Sequence, residues 1–274
     1  MSGSTFLMPN SRADAGRRGT TVRDSQLDLL PTRVSTILPG YTNGKHIKFR
    51  CIGVDGEIYH CKADADGRSI RATEWFSHRL AQHLGIAVPE FRVVEHEGET
   101  YFGSRQVSST ADTFAVRDFL ARRQLDELGR ATEWLGRRLT GIYVFDMFLN
   151  NPDRALVNFV FEREGQSDKL CVIDFADARL EDLATCRFPF AGSNTVDKGK
   201  FLRSVHGFHL DPALEMIKKI GAVPASEIGG ILGGMPDDWL SDDEKDSLGG
   251  VWAGPEFESR LSALRAGLED GSRL

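Results

Sequence analysis

Cysteine is scarce in this chain, with Cys51, Cys61, Cys171 and Cys186 the four among 274 residues. None forms a Cys-x-x-Cys pair and none stands at a zinc-ligand spacing from a histidine, which argues against a disulfide framework and a structural zinc site. Thiols scattered in this way fit a reducing compartment. Long apolar runs are missing too: the best, 141–149, is interrupted by Asp146, well short of the ~18 residues a membrane helix needs. The first twenty residues hold no apolar core of a secretory signal, so a cytoplasmic protein without membrane insertion is expected. Nor is there an excess of positive charge. Lys plus Arg number 34 against 40 Asp plus Glu, a net charge of -6, so no direct nucleic-acid binding is expected. The glycine-rich phosphate motifs are absent as well: Gly229 to Gly234 reads GGILGG with no Lys-Ser/Thr after it.

What remains is an ordinary globular composition, 41% hydrophobic and 27% charged. At about 150 residues per domain the length allows one large domain or two lobes. Residues 1–25 lack periodicity and read as a flexible tail. From residue 47 to 63 two β-prone runs flank an Asp-Gly turn. A helix is expected over 71–84, with Trp75, Phe76, Leu80 and Leu84 near one side and Glu74, His78 and Arg79 elsewhere. Two further strands flank Glu97-Gly98. After the polar connector that begins at Ser108, helices are expected over 114–128, 132–149, 212–220 and 256–268, interrupted by one hairpin between residues 158 and 174. The expected fold class is therefore α+β: a small antiparallel sheet with one helix over 26–110, then a mostly helical part over 111–274.

The chemistry concentrates at NNPDRALVNFVF and LCVIDFADA. Pro152 ends the preceding helix, so Asp153 falls on a loop. Asn158 opens the hairpin and Asp174 ends it, which lets the two meet despite sixteen intervening positions. Two hard oxygen donors beside a third carboxylate suit Mg²⁺ carrying substrate phosphates. The spacing Asp-x-x-x-x-Asn followed by a strand-end Asp matches the catalytic and metal loops of protein kinases. Upstream, Lys62 on a strand and Glu74 early on the next helix fit the lysine–glutamate pair that fixes nucleotide phosphates. The stretch LPGYTNGKH offers Gly40 and Gly44 as a loop over those phosphates. His206 and His209 lack further ligands at zinc spacing and read as loop or cap residues, and the acidic run DDWLSDDEKD reads as a solvated helix approach.

Taken in order, Lys62, Glu74, LGIAVPEFRVVE, NPDRALVN and VIDFADA resemble the HipA-like kinase family, which is itself similar to phosphatidylinositol 3- and 4-kinases. The resemblance spans roughly residues 35–268. It implies a bilobal protein-kinase-like fold with ATP and Mg²⁺ between the lobes, Asp153 as base, Asn158 and Asp174 on the metal, Lys62 on the nucleotide phosphates and Glu74 positioning the lysine. It also implies a protein substrate phosphorylated on Ser or Thr and, for those members that act as toxins, a small antitoxin as partner. Two positions depart from the pattern: Ala176 stands where glycine is expected after the metal aspartate, and His60 where a small residue would face adenine. A lipid or small-molecule kinase and a nucleotide-binding pseudokinase are the alternatives.

Overall fold

The computed structural model describes residues 30–40, 45–107, 112–164 and 167–274. The expected tail (1–25), Gly44 and the start of the connector at Ser108 lie outside them. Strands β2 (Ile47–Gly53) and β3 (Ile58–Lys62) pair antiparallel. Between them Gly56 takes a left-handed φ of +83°, and the Asp55 carboxylate binds the Glu57 N–H at 3.1 Å and the Tyr59 hydroxyl at 2.8 Å. Strands β4 (Phe91–His96) and β5 (Glu99–Arg105) form a second hairpin. Its turn residues, Glu97 at φ +53° and Gly98 at +81°, are both left-handed, as a two-residue turn matched to strand twist requires.

Strand β1 (Thr32–Leu38) was not expected from the sequence, because most of its side chains stay at least partly exposed, which blurs its alternation. β1 pairs antiparallel with β2 and parallel with β4, through Thr32 opposite Val94. The sheet therefore closes as a barrel in the order β1-β2-β3-β5-β4; it is mostly antiparallel, as expected, and the closure through the parallel β1–β4 pair was not expected. The connection containing Gly40 is consequently a β1–β2 loop within the barrel. Alternate residues Cys51, Tyr59, Cys61 and Val94 fill the barrel, with the free thiols of Cys51 and Cys61 3.6 Å apart. His60 and Lys62, one position out of phase with Tyr59 and Cys61, lie on the opposite face.

Helix α1 (Ile70–His83) packs on that outer face. It ends where Gly85 adopts φ +78° and the Ile86 N–H bonds back to the Ala81 carbonyl at 2.8 Å, the left-handed stop that glycine permits. The expectation of one apolar side was incomplete, because Glu74 and His78 are as buried as Trp75 and Phe76.

In the helical part, α2 (Thr113–Ala121) stops seven residues before the expected Leu128. The Asp126 carboxylate takes the N–H groups of Leu128 and Arg130 at 2.9 and 2.8 Å, a local turn that competes with helix. Helix α3 (Trp134–Phe148) is buried on nearly every side and forms the centre. After it come strands β6 (Phe159–Glu164) and β7 (Ser167–Val172), then helices α4 (Asn194–His206), α5 (Leu210–Gly221), α6 (Ala225–Gly233), α7 (Asp242–Val251) and α8 (Pro255–Glu269). Helices α4 and α6 were not anticipated. The glycine-rich stretch of α6 is helical because Ile228, Ile231 and Leu232 anchor one side in the core. Ser241 opens α7 with a reciprocal capping box to Glu244.

One apolar cluster runs without interruption from Phe76 and Leu80 through Phe91 and Phe102 to Phe145, Phe148 and Leu264. The α1-facing side of the barrel, through Phe91, Val93 and Phe102, thus shares a core with the helices, while Cys51, Tyr59, Cys61 and Val94 form a separate small cluster inside the barrel. The Trp75 indole donates to the Ile231 carbonyl at 3.0 Å, and the Trp239 indole donates to the Thr100 hydroxyl at 2.8 Å, stitching α1 and the barrel to the C-terminal helices. Among the described residues no helix is long and apolar enough to cross a membrane.

Candidate active site

Pairing of β6 with β7 ends at Phe159 opposite Val172, and one further bond, from the Ile173 N–H to the Asn158 carbonyl at 3.0 Å, extends it. Asn158 and Asp174 are thereby brought to the open end of the hairpin, Asn158 closing a short 3-10 turn and Asp174 lying two residues past β7. Asp174 holds a left-handed φ of +63°. Ala176 is fully buried and needs no positive φ, so the backbone here does not require glycine at that position.

From the barrel side, Lys62 reaches the same point. Its Nζ donates to Glu74 Oε1 at 2.5 Å and to Asp174 Oδ1 at 2.7 Å. Glu74 Oε1 also accepts the Phe175 N–H at 3.0 Å, so one carboxylate fixes both the lysine and the backbone after Asp174. Burial pulls the Lys62 ammonium down, yet the charges of Glu74 and Asp174 outweigh it and hold its pKa above the ordinary value. Burial likewise pushes both carboxyls up, and the lysine overcomes this, leaving Glu74 and Asp174 below the usual carboxylate range. All three groups are therefore charged near neutrality.

Asp153 sits partly exposed on the loop after Pro152. Asn151 Oδ1 accepts its N–H at 3.2 Å and Asn158 Nδ2 donates to its carbonyl at 3.0 Å. Its carboxylate accepts a short hydrogen bond from Asn194 Nδ2, at the start of α4. The backbone of Asp153 and the side chain of Asn158 are in this way one unit. Gly40, at φ +85°, is exposed on the β1–β2 connection, and Gly44 lies outside the described residues.

Two clusters escaped the sequence analysis. Arg154 is buried and forks onto Asp146 with contacts of 2.8 and 2.9 Å. It also bonds the carbonyls of Ile173 and Asn158 and receives support from Thr195, whose Oγ1 accepts the Arg154 N–H at 2.9 Å. This guanidinium ties helix α3 and the Asp153 loop to the backbone preceding Asp174. The clue lay in Asp146 itself, a lone acid in an apolar helix, which must find a charged partner when buried. The second cluster surrounds Asp177, whose carboxylate meets Arg68 Nη1 at 2.6 Å, His46 Nε2 at 3.5 Å and Lys45 Nζ at 3.6 Å. His206 and His209 bond the Leu120 and His206 carbonyls respectively, as loop and cap residues do.

Among the described residues no group of three or more His, Cys, Asp or Glu side chains forms a metal cage. What the site offers is the Asn158 amide oxygen, the Asp174 carboxylate and an adjacent ammonium. A sparse set of hard oxygen donors fits a divalent cation of the Mg²⁺ type, completed by phosphate oxygens and water.

A strand lysine held by a helix glutamate, facing an aspartate at the end of a hairpin, defines a kinase-type phosphotransferase. The comparisons narrow this class. Residues 34–250 match the HipA-like kinase family, and the chain belongs to it. Similar solved structures include the proinflammatory kinase CtkA of Helicobacter pylori, with a TM-score of 0.58 at 14% identity over 89% of this chain and 99% of that one. A Golgi casein kinase with Mn and ADP bound gives 0.46 at 15% identity over 89% and 74%. HipA of Shewanella oneidensis, solved with HipB and operator DNA, gives 0.47 at 12% over 89% and 67%. Curated proteins yield no sequence match.

Proposed function

We propose that this protein transfers the γ-phosphoryl group of ATP, with Mg²⁺, to a serine or threonine hydroxyl of a protein substrate. The carrying observation is the double ion pair of Lys62 with Glu74 and Asp174, at 2.5 and 2.7 Å, formed between residues up to 112 positions apart. An ammonium that must balance two buried or half-buried carboxylates is well suited to meet phosphate oxygens beside a metal. In this reading the nucleotide lies between a barrel part, 26–110, and a helical part, 111–274, which together make the two lobes. Gly40 and Gly44 belong to the loop that covers the phosphates.

Bound Mg²⁺ would supply neutralisation of charge on the transferring group. Asn158 and Asp174 would hold it, and Lys62, fixed by Glu74, would orient the α- and β-phosphates. Asp153 receives the incoming hydroxyl and accepts its proton. Asn194 keeps one of its oxygens occupied, which leaves the other for the substrate. Arg154 maintains the spacing between the Asp153 loop and the metal loop. Such a site works by positioning and charge stabilisation, with little covalent participation by protein. A small antitoxin protein as partner, on the strength of the family, and a cytoplasmic location, on the strength of the scattered thiols, complete the reading.

The test is phosphoryl transfer from γ-labelled ATP to a protein extract and, separately, to lipid vesicles, by the wild type and by Asp153→Ala and Asp174→Asn. Label is expected on protein Ser or Thr, and both variants should lose at least about 100-fold in rate while remaining folded by circular dichroism. Unchanged transfer by Asp174→Asn would refute the assignment, and label confined to lipid would replace the substrate class.

A further inference from the structure

The metal loop carries a second acid, Asp177, three residues past Asp174, that the phosphoryl-transfer chemistry does not use. Cations from two separate elements converge on it. Arg68 comes from the connection between β3 and α1 and binds both the Asp177 carboxylate, at 2.6 Å, and the Ala176 carbonyl. Lys45 and His46 come from the residues that lead into β2, at 3.6 and 3.5 Å. The His46 side chain is buried, and its Nε2 has no hydrogen-bond partner. Lys45 keeps most of its side chain in solvent. Burial pushes the Asp177 carboxyl up, and Arg68, Lys45 and His46 overcome this and hold it below its ordinary value.

Three cationic or protonatable groups on one carboxylate exceed what a single negative charge satisfies. They also border the loop carrying Asp174, itself held by Lys62 at 2.7 Å. Polyphosphate, with several charges and many acceptor oxygens, satisfies such a set better than a carboxylate does. We infer that Lys45, His46 and Arg68 form an anion-binding set for the terminal phosphates of the nucleotide, and that Asp177 is an internal anion competing for the same cations. This rests on the kinase reading of the site. It assigns Asp177 a role opposite in sign to that of Asp174: one acid favours nucleotide binding by holding metal, the other opposes it.

The opposite signs make the test direct. Full-length protein is titrated calorimetrically with ADP, with a non-hydrolysable ATP analogue and with inorganic tripolyphosphate, each in EDTA and in Mg²⁺. Removing one opposing charge in a partly exposed ion-pair cluster, Asp177→Asn, should tighten all three by about fivefold, with or without metal. Arg68→Met should weaken them by about tenfold, and the exposed Lys45→Gln by about threefold. In the Arg68→Met background, Asp177→Asn should regain less than it does alone. Melting curves accompany every variant. If Asp177→Asn destabilises the fold, Lys45→Gln at unchanged melting temperature still decides, because unaltered tripolyphosphate affinity overturns the proposal. Weaker binding by Asp177→Asn overturns it as well, and weakening confined to Mg²⁺ would make Asp177 a metal ligand. A wild type that binds no nucleotide under either condition overturns the kinase reading itself, a separate result.

Discussion

Replacing Arg154 by methionine isolates the charge that holds the catalytic loop together. Asp146 is fully buried in the last turn of α3, and its carboxylate is met by the Arg154 fork at 2.8 and 2.9 Å and by Asn151 Nδ2 at 2.7 Å. Methionine retains much of the apolar stem but removes every side-chain donor, leaving the Asp146 carboxyl buried and short of partners in an apolar helix. Breaking a buried pair from one side costs about 3–5 kcal/mol, a large fraction of a typical stability of about 5–15 kcal/mol. At roughly 2–4 °C per kcal/mol for a chain of this size, the melting temperature should fall by about 6–20 °C. The companion double variant, Asp146→Leu with Arg154→Met, removes both charges and should recover most of that loss, since well-packed apolar replacement of a buried pair is often near neutral. Phosphoryl transfer should not recover with it, because the carbonyls of Ile173 and Asn158 would still lack the guanidinium that spans them. Urea denaturation measures the first effect and labelled-ATP transfer the second. A single-variant loss below about 1 kcal/mol, or a double variant no more stable than the single, would refute the reasoning.

Two further outcomes follow from buried charge elsewhere. Glu74 and Asp174 have folded pKa values below those of free carboxylates, so their contribution to stability is complete above about pH 4.5 and is lost as pH falls below that toward the depressed folded values. Urea midpoints measured from pH 6 down to pH 3 should therefore drop, and Glu74→Gln should flatten that dependence; an equally steep drop in the variant would refute it. Arg260 is fully buried with its guanidinium on carbonyls of Met147, Phe148, Asp182, Thr185 and Arg187. Burial pulls its pKa down to about 10, still charged at neutrality. Arg260→Met orphans the end of α3 and should destabilise by about 3 kcal/mol or more, read as a lowered urea midpoint, and a change under about 1 kcal/mol would contradict that role.

The legible part of this protein is local or ordered along the chain. The Asp-Gly and Glu-Gly turns, the extent of α1, the β6–β7 hairpin and the order Lys62, Glu74, Asp153, Asn158, Asp174 all follow from periodicity, turn chemistry and spacing. The turns, the helix and the hairpin survive without tertiary context because each is set by neighbours a few residues away, and the order of the polar residues is a property of the chain itself. Strand β1 was not legible, since its side chains are mostly exposed and its place depends on a parallel partner, β4, some sixty residues downstream. The short α2 lost its last turns to Asp126, whose side chain bonded the backbone in a competing turn.

Tertiary structure decided which polar residues would be buried and with whom. The sequence paired Glu74 with Lys62, but that Glu74 is buried under the Phe175 backbone, and that His78 is enclosed by the rings of Phe91, Phe102 and Phe175, follows only from what packs over α1. Arg154 on the loop joined Asp146 on the preceding helix, but its bond to Ile173 spans a hairpin, and the cations around Asp177 arrive from more than a hundred residues away. A side chain's type and spacing state which charges a chain carries. Whether such a charge becomes a solvated ornament or part of a site depends on desolvation, and desolvation is a property of what folds over it.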